Sequence, residues 1–248
     1  MKSTSTENPF DFFDRIFCVN LDSRPDRWEE SLSEFKKVGI DDKVERLSGV
    51  ILDTNHPMKG RGGVTSSFRK IWHEVTYENE RLSVATMHGL KSENVLIFED
   101  DVLFTDEAVE SLSKSVSDLS KQDWDMFYLG VSVDAGRSHE SPAFERVTNS
   151  LLRCKNCQCL HAVAYNAKIL PHLLEMVPDK NFILNWLAHN KSIDWWIMEN
   201  IQENFNVFCT DPMIATQRPS FSNIDNNQAT WGQNLIDTFN QFVPPKHE

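Results

Sequence analysis

Three features of the sequence predict an α/β domain with a mostly parallel central sheet and helices on both faces. Short apolar runs alternate with stretches of helical periodicity through the first half of the chain, the order that threads parallel strands through crossover helices. One run, residues 94–98 (NVLIF), is apolar from Val95 through Phe98, as in a strand covered on both sides, and it stops abruptly at three acids. The length of 248 residues leaves room for a substantial core without disulfide or metal staples, yet falls short of two full-sized enzyme domains.

Residues 15–21 (RIFCVNL) form the first expected strand, ended by the polar turn Asp22-Ser23-Arg24-Pro25. Apolar residues at Trp28, Leu32, Phe35 and Val38 then follow helical spacing over 26–38. A second strand is expected at 43–47. After it come a glycine-rich loop at 59–63 (KGRGG) and a helix with Phe68, Ile71, Trp72 and Val75 on one face, running toward Gly89. The strand 94–98 is followed by a helix over 106–119 and a strand over 126–129. The second half predicts a strand at 161–166, helices around 169–177, 182–190 and 194–204, and a last strand at 206–210. The Asn- and Gln-rich stretch 223–234 and the Pro-Pro-Lys-His-Glu end read as a loop and tail. With no internal repeat and no linker composition, the expected organisation is a lead segment 1–14, one domain over 15–224, and a polar C-terminal segment and tail over 225–248.

Acidic residues number 37 against 25 basic ones, a net charge of −12, so the average surface repels polyanions and a nucleic-acid coat is excluded. A small anionic ligand would need a local cation, either an Arg cluster or a bound metal. No run of about 18 apolar residues occurs, so no transmembrane segment is expected. The first 14 residues lack the apolar stretch and cleavage site of a secretory signal, which makes the cytoplasm the expected compartment. Five cysteines is an odd number, and Cys18 and Cys209 lie in apolar runs, so disulfides are not indicated.

The chemistry begins at Glu99-Asp100-Asp101. Three carboxylates at the end of a buried strand repel one another and lose hydration, so a cation is expected to neutralise them. Hard oxygen ligands suit Mg²⁺ or Mn²⁺, with substrate phosphates completing the shell. The alternative is that the acids cap the next helix or face solvent. At the end of the first strand, Arg24 and Arg27 sit beside a helix N-terminus, a pairing suited to diphosphate oxygens. They could equally be a solvated pair balanced by Asp22, Asp26 and Glu30. Cys154, Cys157, Cys159 and His161 offer four soft ligands in eight residues, although zinc sites usually draw their pairs from two separated segments. The loop 59–63 lacks the Lys-Ser/Thr ending of a phosphate-binding P-loop.

In combination these elements resemble glycosyltransferase family 25, whose bacterial members build lipopolysaccharide and whose animal relatives galactosylate collagen hydroxylysine. The likeness runs over about residues 16–224. The stretch Val19-Asn20-Leu21-Asp22-Ser23-Arg24-Pro25-Asp26-Arg27-Trp28 is similar to the family's N-L-x-x-R-x-D-R. Gly63-Val64-Thr65-Ser66-Ser67-Phe68-Arg69-Lys70-Ile71-Trp72 is similar to its G-C-x-L-S-H-x-x-x-W, and Asp123-Trp124-Asp125-Met126-Phe127-Tyr128-Leu129-Gly130 to its D-W-D-x-x-x-L-G. Between these lies Val95-Leu96-Ile97-Phe98-Glu99-Asp100-Asp101-Val102. Later come His161-Ala162-Val163-Ala164-Tyr165, Ile193-Asp194-Trp195-Trp196, and Pro212 with Gln217 and Ser222-Asn223-Ile224. Two positions depart from the pattern: Ser66 replaces the family's Leu and Phe68 its His, so a donor contact by that histidine is lost.

The resemblance implies a GT-A-like single domain, a nucleotide diphosphate sugar as donor (a UDP-sugar), and Mn²⁺ (or Mg²⁺) held against the diphosphate. It assigns Asp101 to the metal, Asp100 to the ribose, and Glu99 to a place behind them or bound through water. Asn20, Leu21, Arg24, Arg27 and Ser67 fall on the donor side. His161 matches a histidine of the family's acceptor side, although a lone histidine in an apolar strand is often a satisfied core residue. Transfer to a hydroxyl of a glycan or protein needs a general base, and Asp194 is the best candidate, with Trp195 offering an indole to a sugar face. Asp194 could instead be a helix N-cap, and only one of Trp195 and Trp196 can face the cleft. The expected activity is hexosyl transfer with inversion. The alternative is a GT-like domain without turnover that binds a glycan or protein partner.

Overall fold

The computed structural model describes residues 8–86, 94–139, 141–222, 227–229 and 232–246. In its first half, β1 (Arg15–Asn20), α1 (Pro25–Val38), β2 (Val44–Ser48), α2 (Lys59–Thr86), β3 (Asn94–Glu99), β4 (Val102–Phe104), α3 (Ala108–Leu119) and β5 (Met126–Tyr128) follow one another. A second group comprises β6 (Ser132–Val133), the single turn α4 (Ala135–Ser138), β7 (Phe144–Arg146), β8 (Leu151–Cys154), β9 (Cys157–Gln158) and β10 (Ala162–Asn166). The chain continues through α5 (Leu170–Met176), α6 (Ile183–Asn190), α7 (Ile193–Asn200), β11 (Val207–Thr210), β12 (Ala215–Gln217), β13 (Ser220–Ser222), β14 (Asn227–Ala229) and α8 (Gly232–Phe242).

Eight strands form one sheet in the order β2-β1-β3-β10-β5-β11-β8-β7. Strands β10 and β8 run against the other six, which share one direction. The expected α/β class, mostly parallel with helices on both faces, is what forms. Alternation along the strands divides the core in two, because successive side chains point to opposite faces. Phe17, Val95, Ile97, Val163 and Tyr165 face one side, with α2, α5, α6, α7 and α8 over them. Ile16, Cys18, Leu96, Phe98 and Ala164 face the other, beneath Phe35 and Val38 of α1 and Leu112 and Leu119 of α3.

Local chemistry sets the helix ends. Pro25 starts α1 where its missing N–H costs nothing, and Gly39, at φ +70°, ends it by returning its N–H to the carbonyls of Phe35 and Lys36. The glycine-rich segment 59–63, expected as a loop, is instead the first turn of α2. Its glycines serve close approach: a Cβ on Gly63 would lie 2.4 Å from the Val50 carbonyl oxygen, and one on Gly62 would lie 2.6 Å from Leu52 Cδ1. The helix is described as far as Thr86, so its expected run toward Gly89 lies outside the described residues.

Two segments expected to be a lead and a tail contribute to the core. Phe10 and Phe13 are buried beside β1 and α3. Within the expected polar C-terminal segment, residues 232–242 form α8, because Leu235 and Phe239 lie one helical turn apart and bury against Phe144 and its neighbours. Arg146 then holds the chain beyond α8, donating through Nε to the Pro245 carbonyl at 2.7 Å and through Nη2 to Asp211 at 2.7 Å. Residues 223–226 of the Asn-rich stretch lie outside the described residues, and β13 and β14 pair on either side of them. No described helix is long and apolar enough to cross a membrane.

Candidate active site

Beyond the carboxyl ends of β1, β2 and β3, where open α/β sheets bind ligands, lies a cleft of about 800 Å³. The first turn of α2 forms one wall and the start of α7 another, and Glu99, Asp100 and Asp101 lie between them. The expected acidic motif is therefore brought to the crevice by the strand that carries it.

Arg27, expected on a diphosphate, instead pairs with the acids, where a divalent metal was expected. Its Nη1 pairs with Asp100 Oδ1 at 2.8 Å and its Nη2 with Asp101 Oδ2 at 3.0 Å, with the arginine side chain only 11% exposed. Asn20 is buried and completes the arrangement, donating Nδ2 to Asp100 Oδ2 at 2.7 Å and accepting from Arg46 Nε at 2.9 Å. Ser31 Oγ and Arg218 Nη2 each donate to the Asp100 carbonyl at 2.9 Å, and the Arg218 N–H donates to the Asp101 carbonyl at 2.6 Å. Both oxygens of Asp100 are thus engaged. Asp101 Oδ1 is buried without a hydrogen-bond partner among the described residues.

Burial raises the pKa of all three acids. At Glu99 the neighbouring Asp101, Asp100 and Asp194 add to the rise and Arg27 opposes it. At Asp100 the rise is opposed by Arg27 and Asn20, and at Asp101 by Arg27, Gln217 and Arg218. Asp194, the expected general base, lines the same cleft.

Asp194 Oδ1 accepts from Ser192 Oγ and from the Trp195 N–H at 2.9 Å. Its Oδ2 takes no hydrogen bond from the described residues. Trp195 lines the cleft and donates Nε1 to Glu199 at 2.8 Å, with Lys191 Nζ 3.7 Å from its ring centroid. Trp196 packs in the core against Trp186.

The remaining expected residues divide. Leu21 lines the cleft, as does Ser67. The Ser67 hydroxyl is already used in both senses, donating to the Gly63 carbonyl and accepting the Val50 N–H, each at 2.8 Å. Phe68, at the family's histidine position, is fully buried against Trp72. Arg24 lies outside the cleft lining and pairs with Asp26 at 2.7 Å. His161 also lies outside it, fully buried, with Nε2 3.1 Å from the Ala215 carbonyl and burial lowering its pKa to about 4. All five cysteines are free, and among the described residues no group of three or more His, Cys, Asp or Glu side chains is arranged around a metal.

Sequence reasoning missed Lys191, and it read Cys159 as one of four soft ligands rather than as part of the cleft wall. Both line the cleft, and among the described residues they are the non-glycine positions with positive φ, +60° and +76°. Such conformations cost about 1–3 kcal/mol each and concentrate at ligand sites. No side-chain pattern announces these backbone conformations. Gly130 was legible as the end of a motif but not for its reason: a Cβ there would lie 1.9 Å from the Ala215 carbonyl oxygen and 2.6 Å from His161 Nε2.

The residues fit a divalent cation of the kind that uses one or two carboxylates and takes its other ligands from substrate and water. The orphaned Asp101 Oδ1 is the observation that carries this fit, and Glu99 lines the same cleft.

No protein-family model matches the chain. It is 29% identical over 141 residues to a human protein named inactive glycosyltransferase 25 family member 3, covering 48% of this chain and 22% of that one. The chain thus spans about a fifth of the length of that relative. Among solved structures it is similar to UDP-glucose pyrophosphorylase complexed with UDP-glucose, with TM-score 0.42 and 11% identity, covering 92% of this chain and 80% of the other. A glycosyltransferase involved in glycosylation of the major capsid of PBCV-1 gives TM-score 0.35 and 8% identity, over 79% and 92% of the two chains. A197 from STIV gives 0.41 and 8%, over 83% and 94%.

Proposed function

We propose that the cleft binds a nucleotide diphosphate sugar, a UDP-sugar in the first instance, and transfers its hexose to a hydroxyl of a glycan or protein acceptor with inversion. The observation that supports this reading best is the meeting of the Arg27-bound acidic pair and Asp194 in one crevice at the end of β3. The similarity to a human protein named an inactive glycosyltransferase 25 family member supports the kinship with glycosyltransferases and not the turnover.

In this reading the acceptor oxygen forms a bond to the anomeric carbon as the bond from that carbon to the diphosphate breaks. The acceptor proton passes to Asp194, whose Oδ1 is fixed by Ser192 and the Trp195 N–H, so Oδ2 is the receiving oxygen. Leu21 and the loop after β2 hold the nucleoside, Arg27 faces the diphosphate, and Trp195 orients the acceptor. Asp101 and Glu99 would hold Mn²⁺ or Mg²⁺, which when bound neutralises charge on the departing diphosphate. His161 acts as packing: its ring is neutral and outside the cleft lining.

A second reading, a GT-like domain that binds a glycan or protein without turnover, draws on two observations. Arg27 already pairs with both acids, and the human relative is named inactive. A panel of UDP-sugars with Mn²⁺, with and without simple sugar acceptors, separates the two. The enzyme reading expects release of UDP that Asp194→Asn reduces by about 10²–10⁴-fold. Binding of UDP with no release from any donor supports the second reading.

A further inference from the structure

We propose that Arg27 is an internal counter-ion that keeps Asp100 and Asp101 from capturing a divalent cation alone, so that metal enters the cleft only with a diphosphate that takes over the guanidinium. This deepens the reading of the cleft as a nucleoside diphosphate site and rests on it. The guanidinium bridges two successive carboxylates, Asp100 at 2.8 Å and Asp101 at 3.0 Å. Asn20 occupies the second oxygen of Asp100, so the only oxygen of the pair left without a partner among the described residues is Asp101 Oδ1. A metal ion on that atom would stand within a few ångströms of a fixed positive charge on the same carboxylate, and like charges so placed repel. A diphosphate removes the conflict in two ways. Its oxygens offer the guanidinium a bidentate partner, which frees Asp101, and they supply the ligands that one or two carboxylates leave missing.

Metal and diphosphate should therefore bind cooperatively, and the coupling must be reciprocal. The experiment titrates the full chain with Mn²⁺, with and without saturating UDP, following free Mn²⁺ by electron paramagnetic resonance. UDP should tighten Mn²⁺ by about tenfold or more, and Mn²⁺ should tighten UDP by the same factor. In Arg27→Met the Mn²⁺ affinity without UDP should rise about tenfold and the coupling should collapse toward unity. Arg27→Lys keeps a charge but cannot bridge two carboxylates, so it should fall between, and it carries the test where Arg27→Met fails a circular-dichroism check of folding. The inference is overturned where wild-type protein binds Mn²⁺ as tightly without UDP as with it, or where the folded variants keep the wild-type affinity for Mn²⁺ alone. In the latter case, with Mn²⁺-dependent UDP binding intact, the cleft reading survives. Wild-type protein that binds neither UDP nor Mn²⁺ overturns both.

Discussion

Lowering the pH tests where His161 sits. Its Nε2 faces the Ala215 carbonyl oxygen at 3.1 Å, which makes Nε2 the protonated nitrogen, and Nδ1 is buried without a partner among the described residues. A second proton on Nδ1 would bury a charge with no acceptor, which is why burial lowers the pKa from 6.5 to about 4. The folded pKa lies below the unfolded one, so between these values the unfolded chain binds more protons. The neutral ring therefore contributes stability that is complete above the unfolded pKa and is lost as pH falls toward about 4. With these two values the loss amounts to about 2 kcal/mol between pH 7 and pH 5. The raised pKa values of Glu99, Asp100 and Asp101 act with the opposite sign, favouring the folded state as pH falls, so a second protein is needed to isolate the histidine. His161→Gln is uncharged throughout and leaves the acids in place. Urea unfolding of both proteins at pH 7 and pH 5 should show the wild type losing about 2 kcal/mol more than the variant. Equal losses, or a His161 pKa near 6.5 by NMR, would refute the buried, neutral assignment and return His161 to the cleft.

Gly130→Ala should destabilise the fold by about 3 kcal/mol or more, because the new methyl would overlap the backbone at Ala215, which is paired to Phe104 in β4. Thermal unfolding should show a drop of roughly 6–12 °C. Arg146→Ala leaves Asp211 buried and unpaired and releases the carbonyls of Pro244 and Pro245, so it should cost about 3–5 kcal/mol. Limited proteolysis should then cut after α8 in the variant first. Gly63→Ala should push α2 away from Val50, whose carbonyl oxygen lies 2.4 Å from the added carbon. Since the same segment walls the cleft, UDP affinity should fall along with stability, and a variant that loses stability with unchanged UDP affinity would place the nucleoside elsewhere.

The sheet's parallel half was legible because β1 and β3 announce themselves as apolar runs, and because the acids that end β3 sit where a parallel strand meets the crevice. The antiparallel insertion of β10 between β3 and β5 was not. Its residues read as a strand, but pairing direction is set by neighbours distant in sequence, and nothing in Ala162–Asn166 encodes it. Glycines misled at 59–63 for a physical reason: they usually break helices, yet here they let a helix approach the Val50 carbonyl closely. Leu235 and Phe239, which seat α8, lie in a segment whose Asn and Gln content reads as polar. In the cleft, the sequence supplied Arg27 and the acids as separate motifs, with the arginine expected on phosphate and a metal expected on the acids. Only the approach of α1 to the end of β3 shows that the arginine is itself the first counter-ion. The charge of −12 argued against anionic ligands until that pairing gave the acidity a local answer.

The most direct test of the account is tryptophan fluorescence of the full chain titrated with UDP in the presence and absence of Mn²⁺, since Trp195 lines the cleft beside Asp194. A saturable change that requires Mn²⁺ and disappears in Asp101→Ala is the predicted result. No binding at millimolar UDP, or binding indifferent to both Mn²⁺ and Asp101, would contradict the reading of this cleft as a metal-assisted nucleotide-sugar site.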